Sequence, residues 1–300
     1  MDGVICIYKE KGYTSHDVVA KLRGILKTKK IGHTGTLDPD ATGVLPVCIG
    51  KATKLCDMLT DREKAYRTEM VLGKVTDTQD ISGKILEESV VGDNITDEVL
   101  KAVIYGFKGE YMQVPPMYSA LKVNGRKLYE LAREGIEVER KARPVQILGI
   151  DIQEIEIPYI TMTVECSKGT YIRTLCHDIG KQLGTGACMT QLERIRSGRF
   201  ELKDSVTLGQ VEEFVKAGTI DSHIISVDDM FSDYQKCVVS EKYNKLVHNG
   251  NALSKLHLNK KGQFEDGENV RIYDEKGMFA GIYAFNSSEG MFTPVKMFFI

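Results

Sequence analysis

The chain has 300 residues, 42% of them hydrophobic, and its 40 Lys and Arg nearly balance 42 Asp and Glu, giving a formal net charge of −2. This length predicts two domains, or one large domain with an appendage, and suffices to bury a sizeable core. Ordinary glycine and proline contents exclude collagen-like, low-complexity and disordered classes. The longest apolar run, residues 44–49, is far shorter than the roughly 18 residues of a membrane span. Because the N-terminus also lacks the pattern of a secretion signal, we expect a cytoplasmic protein that does not contact membranes.

The cysteines and histidines give no sign of a metal site. The seven cysteines are odd in number and form no Cys-x-x-Cys pair, which argues against a disulfide framework and against a zinc finger. Most are expected to be reduced core thiols. The histidines at positions 16, 177, 223, 248 and 257 lack the spacing of metal ligands, so no metal is expected.

The charges are segregated along the chain despite their near-zero sum. Lys21–Lys54 carries seven basic residues against two acids, and Lys122–Arg143 carries seven against four. Residues 76–100 carry seven acids and one lysine, and residues 201–233 carry eight acids and two lysines. Such a chain can fold with one basic face and an acidic back, which suits a polyphosphate partner. Solvated helix faces explain the charges equally well at this level.

The first elements mix strands and helices. Val4–Tyr8 is typical of a buried strand, and Ser15 is expected to cap an amphipathic helix. Residues 32–43 hold three glycines and a proline, which predicts a loop rather than a regular element. The next predicted elements are strands at Val44–Ile49 and Ala65–Leu72 and a helix capped by Thr96.

The middle of the chain continues the mixture without a regular β-α-β repeat. Residues 118–143 form a basic, polar excursion with a short helix predicted near Leu128–Arg133. Two adjacent strands are predicted at Val145–Ile157 and Tyr159–Cys166, followed by helical periodicity over residues 171–183. These elements favour an α+β fold, with a mixed or antiparallel sheet flanked by helices, over a doubly wound sheet.

The pattern of apolar residues and glycines changes after about residue 233. Short apolar runs at residues 270–273, 278–285 and 295–300 are separated by glycines, which indicates a small all-β unit. We therefore predict a domain at residues 1–233 and a second one at residues 234–300.

The loop at residues 32–43 is the most unusual segment, because it combines backbone freedom at its glycines with Asp38 beside the rigid Pro39. A tight connection in which Asp38 merely caps a turn is the commoner use of such a pattern. Residues 38–42 also match Asp-x-Asp-x-Thr, the motif of Mg²⁺-dependent aspartyl-phosphate phosphatases. That motif follows an apolar strand, whereas here it follows Gly-His-Thr-Gly-Thr.

Four blocks of sequence together carry a resemblance to a known family. They comprise residues 3–15 together with Lys-Ile-Gly-His-Thr-Gly-Thr-Leu-Asp-Pro at 30–39, Lys-Ala-Tyr-Arg at 64–67, Pro-Pro-Met-Tyr-Ser-Ala-Leu-Lys at 115–122 and Gly-Thr-Tyr-Ile-Arg-Thr-Leu at 169–175. In order and spacing these blocks closely resemble the TruB-type tRNA pseudouridine synthases. Two positions depart from the family pattern, since Glu10 replaces the usual proline and Asp40 replaces a commoner leucine.

The resemblance implies isomerisation of uridine 55 in the T loop of tRNA to pseudouridine, with no cofactor, no metal and no obligatory protein partner. It implies Asp38 as the nucleophile and Tyr66 and Arg173 as its catalytic partners. It further implies substrate contacts, with the flipped-out uridine or its surroundings, by His33, Tyr66, Tyr171 and Leu192.

The resemblance also implies an RNA-gripping insertion at residues 118–143 and, more weakly, a PUA-like RNA-binding domain at residues 234–300. Contacts with the RNA backbone are expected at basic side chains, namely Lys29, Lys30, Lys122, Arg126 and Lys127, with Lys255, Lys260 and Lys261 in the C-terminal unit. Two competing hypotheses stay open at this point. One is a non-catalytic RNA-binding module or tRNA-folding chaperone, and the other is the Mg²⁺-dependent phosphatase.

Overall fold

The structure is a computed structural model that describes residues 1–259 and 262–298. The strands and helices predicted in the first part of the chain are present, with ends displaced by one or two residues. In chain order the elements are β1 (Gly3–Lys9), α1 (Ser15–Ile25), β2 (Ile31–His33), β3 (Thr42–Ile49), α2 (Cys56–Thr60), β4 (Lys64–Leu72), β5 (Lys74–Thr76), β6 (Ile85–Glu88), α3 (Asp97–Tyr105) and β7 (Gly109–Gln113).

The remaining elements continue in the same manner, and the predicted short helix of the basic excursion has its expected bounds. These elements are β8 (Lys122–Val123), β9 (Arg126–Lys127), α4 (Leu128–Arg133), β10 (Arg143–Glu156), β11 (Tyr159–Cys166), α5 (Ile172–Leu183), β12 (Ala187–Ser197), β13 (Phe200–Glu201), α6 (Leu208–Ala217), β14 (Ile225–Ser226), β15 (Gln235–Val238), α7 (Asn244–His248), β16 (Leu253–Ser254), β17 (Asn269–Tyr273), β18 (Phe279–Asn286) and β19 (Met291–Met297). Within the described residues, none of the helices has the length and apolar character needed to cross a membrane.

One large mixed sheet forms the centre of the molecule. Its strand order is β14-β1-β3-β12-β4-β11-β10-β7, with β2 paired to β3 and β13 to β12. Neighbouring strands run antiparallel, whereas β12 runs parallel to β3. This arrangement confirms the α+β prediction and rules out a doubly wound sheet. It also brings β3, β12 and β4 side by side at the middle of the sheet.

Burial explains the sequence patterns of the central strands. β3 is buried along almost its whole length, so it reads as an uninterrupted apolar run. The helices α1 and α6 pack on the β1–β3 part of the sheet through aliphatic side chains such as Leu22 and Val211. The helices α3 and α5 pack on the β4–β11 part through Leu100 and Leu175. Each such side chain contributes about 1.5–3 kcal/mol on burial, and together they hold the four helices against the sheet.

The C-terminal unit has a sheet of its own, ordered β15-β17-β18-β19-β16. The predicted strands at residues 270–273 and 278–285 are present. The run predicted at residues 295–300 belongs to a strand that begins earlier, at Met291, and residues 299–300 lie outside the described part of the chain. Phe298 and Ile282 pack in one cluster with residues of β1 and β3, so the small sheet is docked against the large one.

Two local predictions need correction. Thr14, not Ser15, is the N-cap of α1, because its hydroxyl accepts from the Asp17 N–H while the Asp17 carboxylate accepts from the Thr14 N–H. The segment at residues 32–43 is not entirely loop, since its two ends extend β2 and β3 and leave only residues 34–41 outside the sheet.

Candidate active site

Asp38 is displayed on the loop of residues 34–41, which connects β2 to β3. The Leu37 N–H donates to the buried hydroxyl of Ser15 at 2.9 Å, and the Ala41 N–H closes a turn onto the Asp38 carbonyl at 3.1 Å. Ser15 therefore holds the loop instead of capping its helix. The backbone on both sides of Asp38 is fixed, so its carboxylate is presented from a rigid base.

Arg173 lies in the first turn of α5 and reaches Asp38 from a part of the chain 135 residues away. Its Nε lies 3.0 Å from Oδ2 of Asp38, and its Nη2 donates to Oδ1 at 3.2 Å. This two-point contact fixes both the position and the rotation of the carboxylate. The side chain of Arg173 is 6% exposed and that of Asp38 is 38% exposed, so the carboxylate faces a solvent-accessible space, the candidate pocket.

The electrostatic surroundings of Asp38 combine opposing influences. Partial burial of Asp38 raises the pKa of its carboxyl, and the charge of Arg173 is the strongest influence that lowers it. Asp80 raises the pKa further, Lys9 lowers it, and Asp40 makes the smallest contribution, also upward. Because Asp40 is exposed on the loop surface, the unusual second carboxylate has a minor electrostatic effect and no structural one.

Two tyrosines lie within electrostatic reach of Asp38, and Leu192 belongs to the same part of the core. Tyr66 on β4 is buried in one hydrophobic cluster with Leu37, and Leu192 of β12 packs against that cluster. Tyr171 directly precedes α5 and is half-buried. Burial raises the pKa of both tyrosines, and the charge of Asp38 adds to each shift. Both phenols are therefore protonated at neutral pH and lie within electrostatic reach of the carboxylate.

His33 ends β2 at the start of the same loop. Its ring stands edge-on to that of His16, with 5.2 Å between ring centroids. Burial lowers the pKa of His33, and the charges of His16 and Arg194 lower it further. The ring is thus neutral at physiological pH and suited to stacking on an uncharged base.

Asp80 is a residue of this site that the sequence did not reveal. Its Oδ2 lies 3.5 Å from Nη1 of Arg173, which also donates to the Thr78 carbonyl at 3.1 Å. The Nη2 group of Arg173 donates to the Tyr118 carbonyl at 2.9 Å. Arg173 therefore joins the loop that carries Asp38 to residues 78–80 and to the start of the insertion. No local signal separates Asp80 from the other acids of its segment, which the charge pattern assigned to an acidic back.

Lys9 is a second residue that the sequence did not single out, because the predicted first strand ended one position before it. It is fully buried at the end of β1. Its Nζ donates to the carbonyls of Tyr13 at 2.6 Å, Pro39 at 3.0 Å and Glu10 at 3.1 Å. Burial lowers the pKa of this ammonium to about 8. Lys9 thereby ties the turn after β1 to the loop that carries Asp38.

Lys9→Met is expected to lower the free energy of unfolding by about 3 kcal/mol, because buried carbonyls lose a charged donor. Urea denaturation followed by circular dichroism measures the difference. Lys11→Met is the matched control, since Lys11 is exposed two positions further along the chain. Equal stabilities of the two variants would contradict the anchoring role of Lys9.

The basic residues expected at an RNA backbone lie outside the pocket. Lys29 and Lys30 are exposed between α1 and β2, directly before the catalytic loop. In the C-terminal unit, the Lys255 ammonium lies 4.3 Å from the ring centroid of Phe285. The two other lysines named there, Lys260 and Lys261, lie outside the described residues.

The insertion carries the other expected contacts. β8 and β9 form a short antiparallel hairpin in which Lys122 is opposite Lys127. Arg126 is exposed and forms an ion pair with Glu134 at 2.5 Å, and the Lys127 ammonium stands 5.3 Å from the ring centroid of Tyr129. Since the carbonyl of Tyr118 binds Arg173, this hairpin is rooted at the edge of the pocket.

The phosphatase hypothesis does not agree with the geometry. Asp38 lies five positions after the end of the short strand β2, so it does not directly follow an apolar strand as that motif requires. Across residues 1–259 and 262–298, no group of three or more His, Cys, Asp or Glu side chains is arranged to hold a metal ion.

Chains of known structure share this architecture. A chain in the crystal structure of a Cbf5-Nop10-Gar1 complex matches with a TM-score of 0.73 and 29% identity, covering 99% of this chain and 84% of that one. A chain in the structure of an H/ACA RNP bound to a substrate RNA containing 2′-deoxyuridine matches with a TM-score of 0.72 and 27% identity, covering 99% and 85%.

Family models and curated relatives agree with one another. Residues 23–172 match the N-terminal domain of TruB family pseudouridylate synthase, and residues 173–232 match the tRNA pseudouridylate synthase B C-terminal domain. The tRNA pseudouridine synthase B of Clostridium acetobutylicum is 47% identical over 99% of both chains. That of Lachnoclostridium phytofermentans is 49% identical, over 99% of this chain and 100% of its own. The fold is that of a pseudouridylate synthase. The chain belongs to the TruB family of these enzymes.

Proposed function

We propose that this enzyme converts uridine 55 in the T loop of tRNA to pseudouridine, with Asp38 as the nucleophile. The bidentate contact of Arg173 with Asp38 carries the assignment, because it favours the ionised form of a partly buried carboxylate, orients it and leaves it open to the pocket. The names of the relatives, tRNA pseudouridine synthase B, support tRNA as the substrate. The RNA-bound structure named above supports an RNA ligand at this fold.

The reaction requires a nucleophile and needs no redox change. The bond from C1′ of the ribose to N1 of uracil breaks, and a bond from C1′ to C5 of the same uracil forms. Asp38 adds to C1′ as the base departs and is expelled when C5 bonds to C1′. C5 then loses its proton and N1 gains one, so the product is an isomer of the substrate.

The other pocket residues act on the base while it is detached. A uridine in a folded loop must leave its stack before it can react. Tyr66 offers a ring face to the extruded uracil, and its hydroxyl assists the proton transfer. Tyr171 and Leu192 line the pocket and keep the uracil near C1′ while it rotates. His33 takes the stacking position that the flipped base has left.

We assign RNA binding to the surfaces around this pocket. Lys29 and Lys30, with Lys122, Arg126 and Lys127 of the insertion, contact phosphates near the T loop. Residues 234–300 form a separate PUA-like domain that contacts another part of the tRNA, next to the catalytic domain at residues 1–233. Phosphate contacts of this kind supply affinity, whereas the folded shape of the loop supplies selectivity.

Lys29→Glu combined with Lys30→Glu is expected to weaken tRNA binding about 10- to 100-fold and to reduce the slope of log affinity against log salt by about 1 to 2. Filter binding across a salt series measures both quantities. Lys84→Glu with Lys101→Glu makes the same change in net charge at exposed positions in and directly after the acidic segment, and should leave the slope unaltered. An unchanged slope in the first variant would remove this patch from the interface.

We further propose that the enzyme acts alone in the cytoplasm, without a metal, an organic cofactor or a protein partner. The test incubates the purified chain and EDTA with an unmodified tRNA transcript carrying tritium at C5 of uracil, and then maps the modified position. Tritium release at the T-loop uridine supports the proposal. Tight tRNA binding without release would instead favour the non-catalytic RNA-binding hypothesis, and release only in the absence of EDTA would overturn metal independence.

A further inference from the structure

Arg194, on β12, is the largest side chain that the described part of the protein buries completely, with 1% of its surface exposed. In that part of the chain, no carboxylate lies within 4.0 Å of its nitrogens, and its hydrogen-bond partners in the backbone are carbonyl groups. A buried cation without an opposite charge is costly to maintain. Because packing alone does not offset this cost, we expect Arg194 to have a further role at this place in the fold.

The guanidinium of Arg194 holds both ends of the catalytic loop. Its Nε donates to the Val44 carbonyl at 2.7 Å, within β3. Its Nη1 and Nη2 donate to the carbonyls of Thr36 and Gly35 at 3.5 and 3.4 Å. These two residues lie two and three positions upstream of Asp38. One planar group with several fixed donors thus connects the start of the loop to the strand that follows it.

The backbone of Arg194 is held as closely as its side chain. Arg194 is in register with Gly43 of β3 on one side and with Tyr66 of β4 on the other. A β-carbon on Gly43 would lie 2.3 Å from the Arg194 carbonyl oxygen, and Gly43 adopts φ of +105°. Glycine is therefore required for this approach of β3 to β12. The approach places Arg194 between the loop and Tyr66.

Arg194 also acts on Tyr66. Burial raises the pKa of Tyr66, and the positive charge of Arg194 is the strongest influence that opposes this shift. Arg194 and Tyr66 are partners in the register of β12 and β4, so this influence acts between neighbouring strands.

We propose that Arg194 is a positioning residue for the isomerisation: it holds the loop that carries Asp38 and keeps that loop in place relative to Tyr66 of β4. This inference rests on the proposed function. Arg194 itself touches neither the reacting atoms nor the RNA. It acts through Asp38 and Tyr66, whose relative position it sets.

The test compares two substitutions of Arg194 with a substitution of another arginine that donates to backbone carbonyls elsewhere in the chain. Arg194→Lys keeps the charge but loses the planar fork, and kcat should fall about tenfold; Arg194→Gln loses both, and kcat should fall about 100-fold. The Kd for tRNA should stay within about threefold in both variants. Arg271→Lys is the control, because Arg271 of the C-terminal unit donates in the same way to the carbonyls of Tyr234 and Ser232 at the boundary with the first domain, and kcat of this variant should not change.

A second readout separates positioning from a merely structural role. 3-Fluorotyrosine placed at position 66 is titrated by ¹⁹F NMR in the wild-type and variant enzymes. Its pKa should rise in Arg194→Gln and move less in Arg194→Lys. Should Arg194→Gln fail to fold, a changed ¹⁹F shift at position 66 together with the reduced kcat of Arg194→Lys supports the proposal.

Results that contradict the positioning role can be told apart from results that contradict the proposed function. A reduced kcat with an unaltered ¹⁹F spectrum and titration at position 66 would overturn the positioning role, and so would an unchanged kcat in both Arg194 variants of an active enzyme. Absence of tritium release by the wild-type enzyme would refute the proposed function itself. The wild-type assay therefore tells the two failures apart.

Discussion

Asp38→Asn is expected to reduce turnover by about 10⁴-fold or more while tRNA affinity stays within about threefold. The carboxamide has nearly the shape of the carboxylate and still fills the space beside Arg173, but it cannot form the bond to C1′. Single-turnover tritium release from C5-labelled tRNA measures the chemical step. Filter binding under the same conditions measures affinity, so loss of chemistry is separated from loss of binding.

Asp40→Asn makes the same chemical change two positions away and is the matched control. Asp40 is exposed, and its charge raises the pKa of Asp38 slightly. Its removal should therefore lower that pKa and shift the acidic limb of the pH–rate profile to lower pH, with an unchanged plateau. Equal losses of turnover in the two variants would contradict the assignment of Asp38 as nucleophile, as would a folded Asp38→Asn enzyme that no longer binds tRNA.

Local chemistry made most of the elements predictable. The alternation of β4 was readable because one face of that strand is more deeply buried than the other. The cap at Thr96 was readable because its hydroxyl accepts from the Val99 N–H within the same turn. The cap of α1 was assigned to the wrong residue because Thr14 and Ser15 are adjacent hydroxyl residues. The capping box of Thr14 with Asp17 and the long-range bond from Leu37 to Ser15 separate their roles.

The active site was predictable only through resemblance to a family. Asp38 and Arg173 are 135 residues apart, and neither has a local pattern that shows the two side chains meet. Lys9, Asp80 and Arg194 were not predicted at all. Each acts through contacts with distant backbone or side-chain groups, and a buried lysine or arginine cannot be distinguished in a sequence from an exposed one.

The order of the central strands explains how these distant residues meet. β12 enters between β3 and β4 and runs parallel to β3, so the loop after β2 and the tyrosine of β4 both lie beside Arg194. The helix α5 precedes β12 and supplies Arg173 from its first turn. The site is therefore a product of sheet topology more than of any single motif.

Arg173→Gln is expected to lower kcat by about 10³-fold and to move the acidic limb of the pH–rate profile to higher pH. Burial already raises the pKa of Asp38, and Arg173 is the strongest influence opposing that shift. Without the guanidinium this pKa rises further, and Asp80 adds to the rise by repulsion. Because the reaction uses the ionised carboxylate, activity is lost as pH falls through that pKa, and the loss now begins at a higher pH.

Arg173→Lys separates charge from geometry at the same position. The ammonium still favours the ionised carboxylate, so the acidic limb should stay near that of the wild type, while loss of the two-point contact should lower kcat by about 10- to 100-fold. Arg196→Gln is the control, because Arg196 on β12 forms a partly exposed ion pair with Glu165 at 3.1 Å, and exposed pairs of this kind contribute about 0–1 kcal/mol. An acidic limb that does not move in Arg173→Gln would show that Asp38 does not depend on this guanidinium for its charge, and the proposed role of the pair would then be wrong.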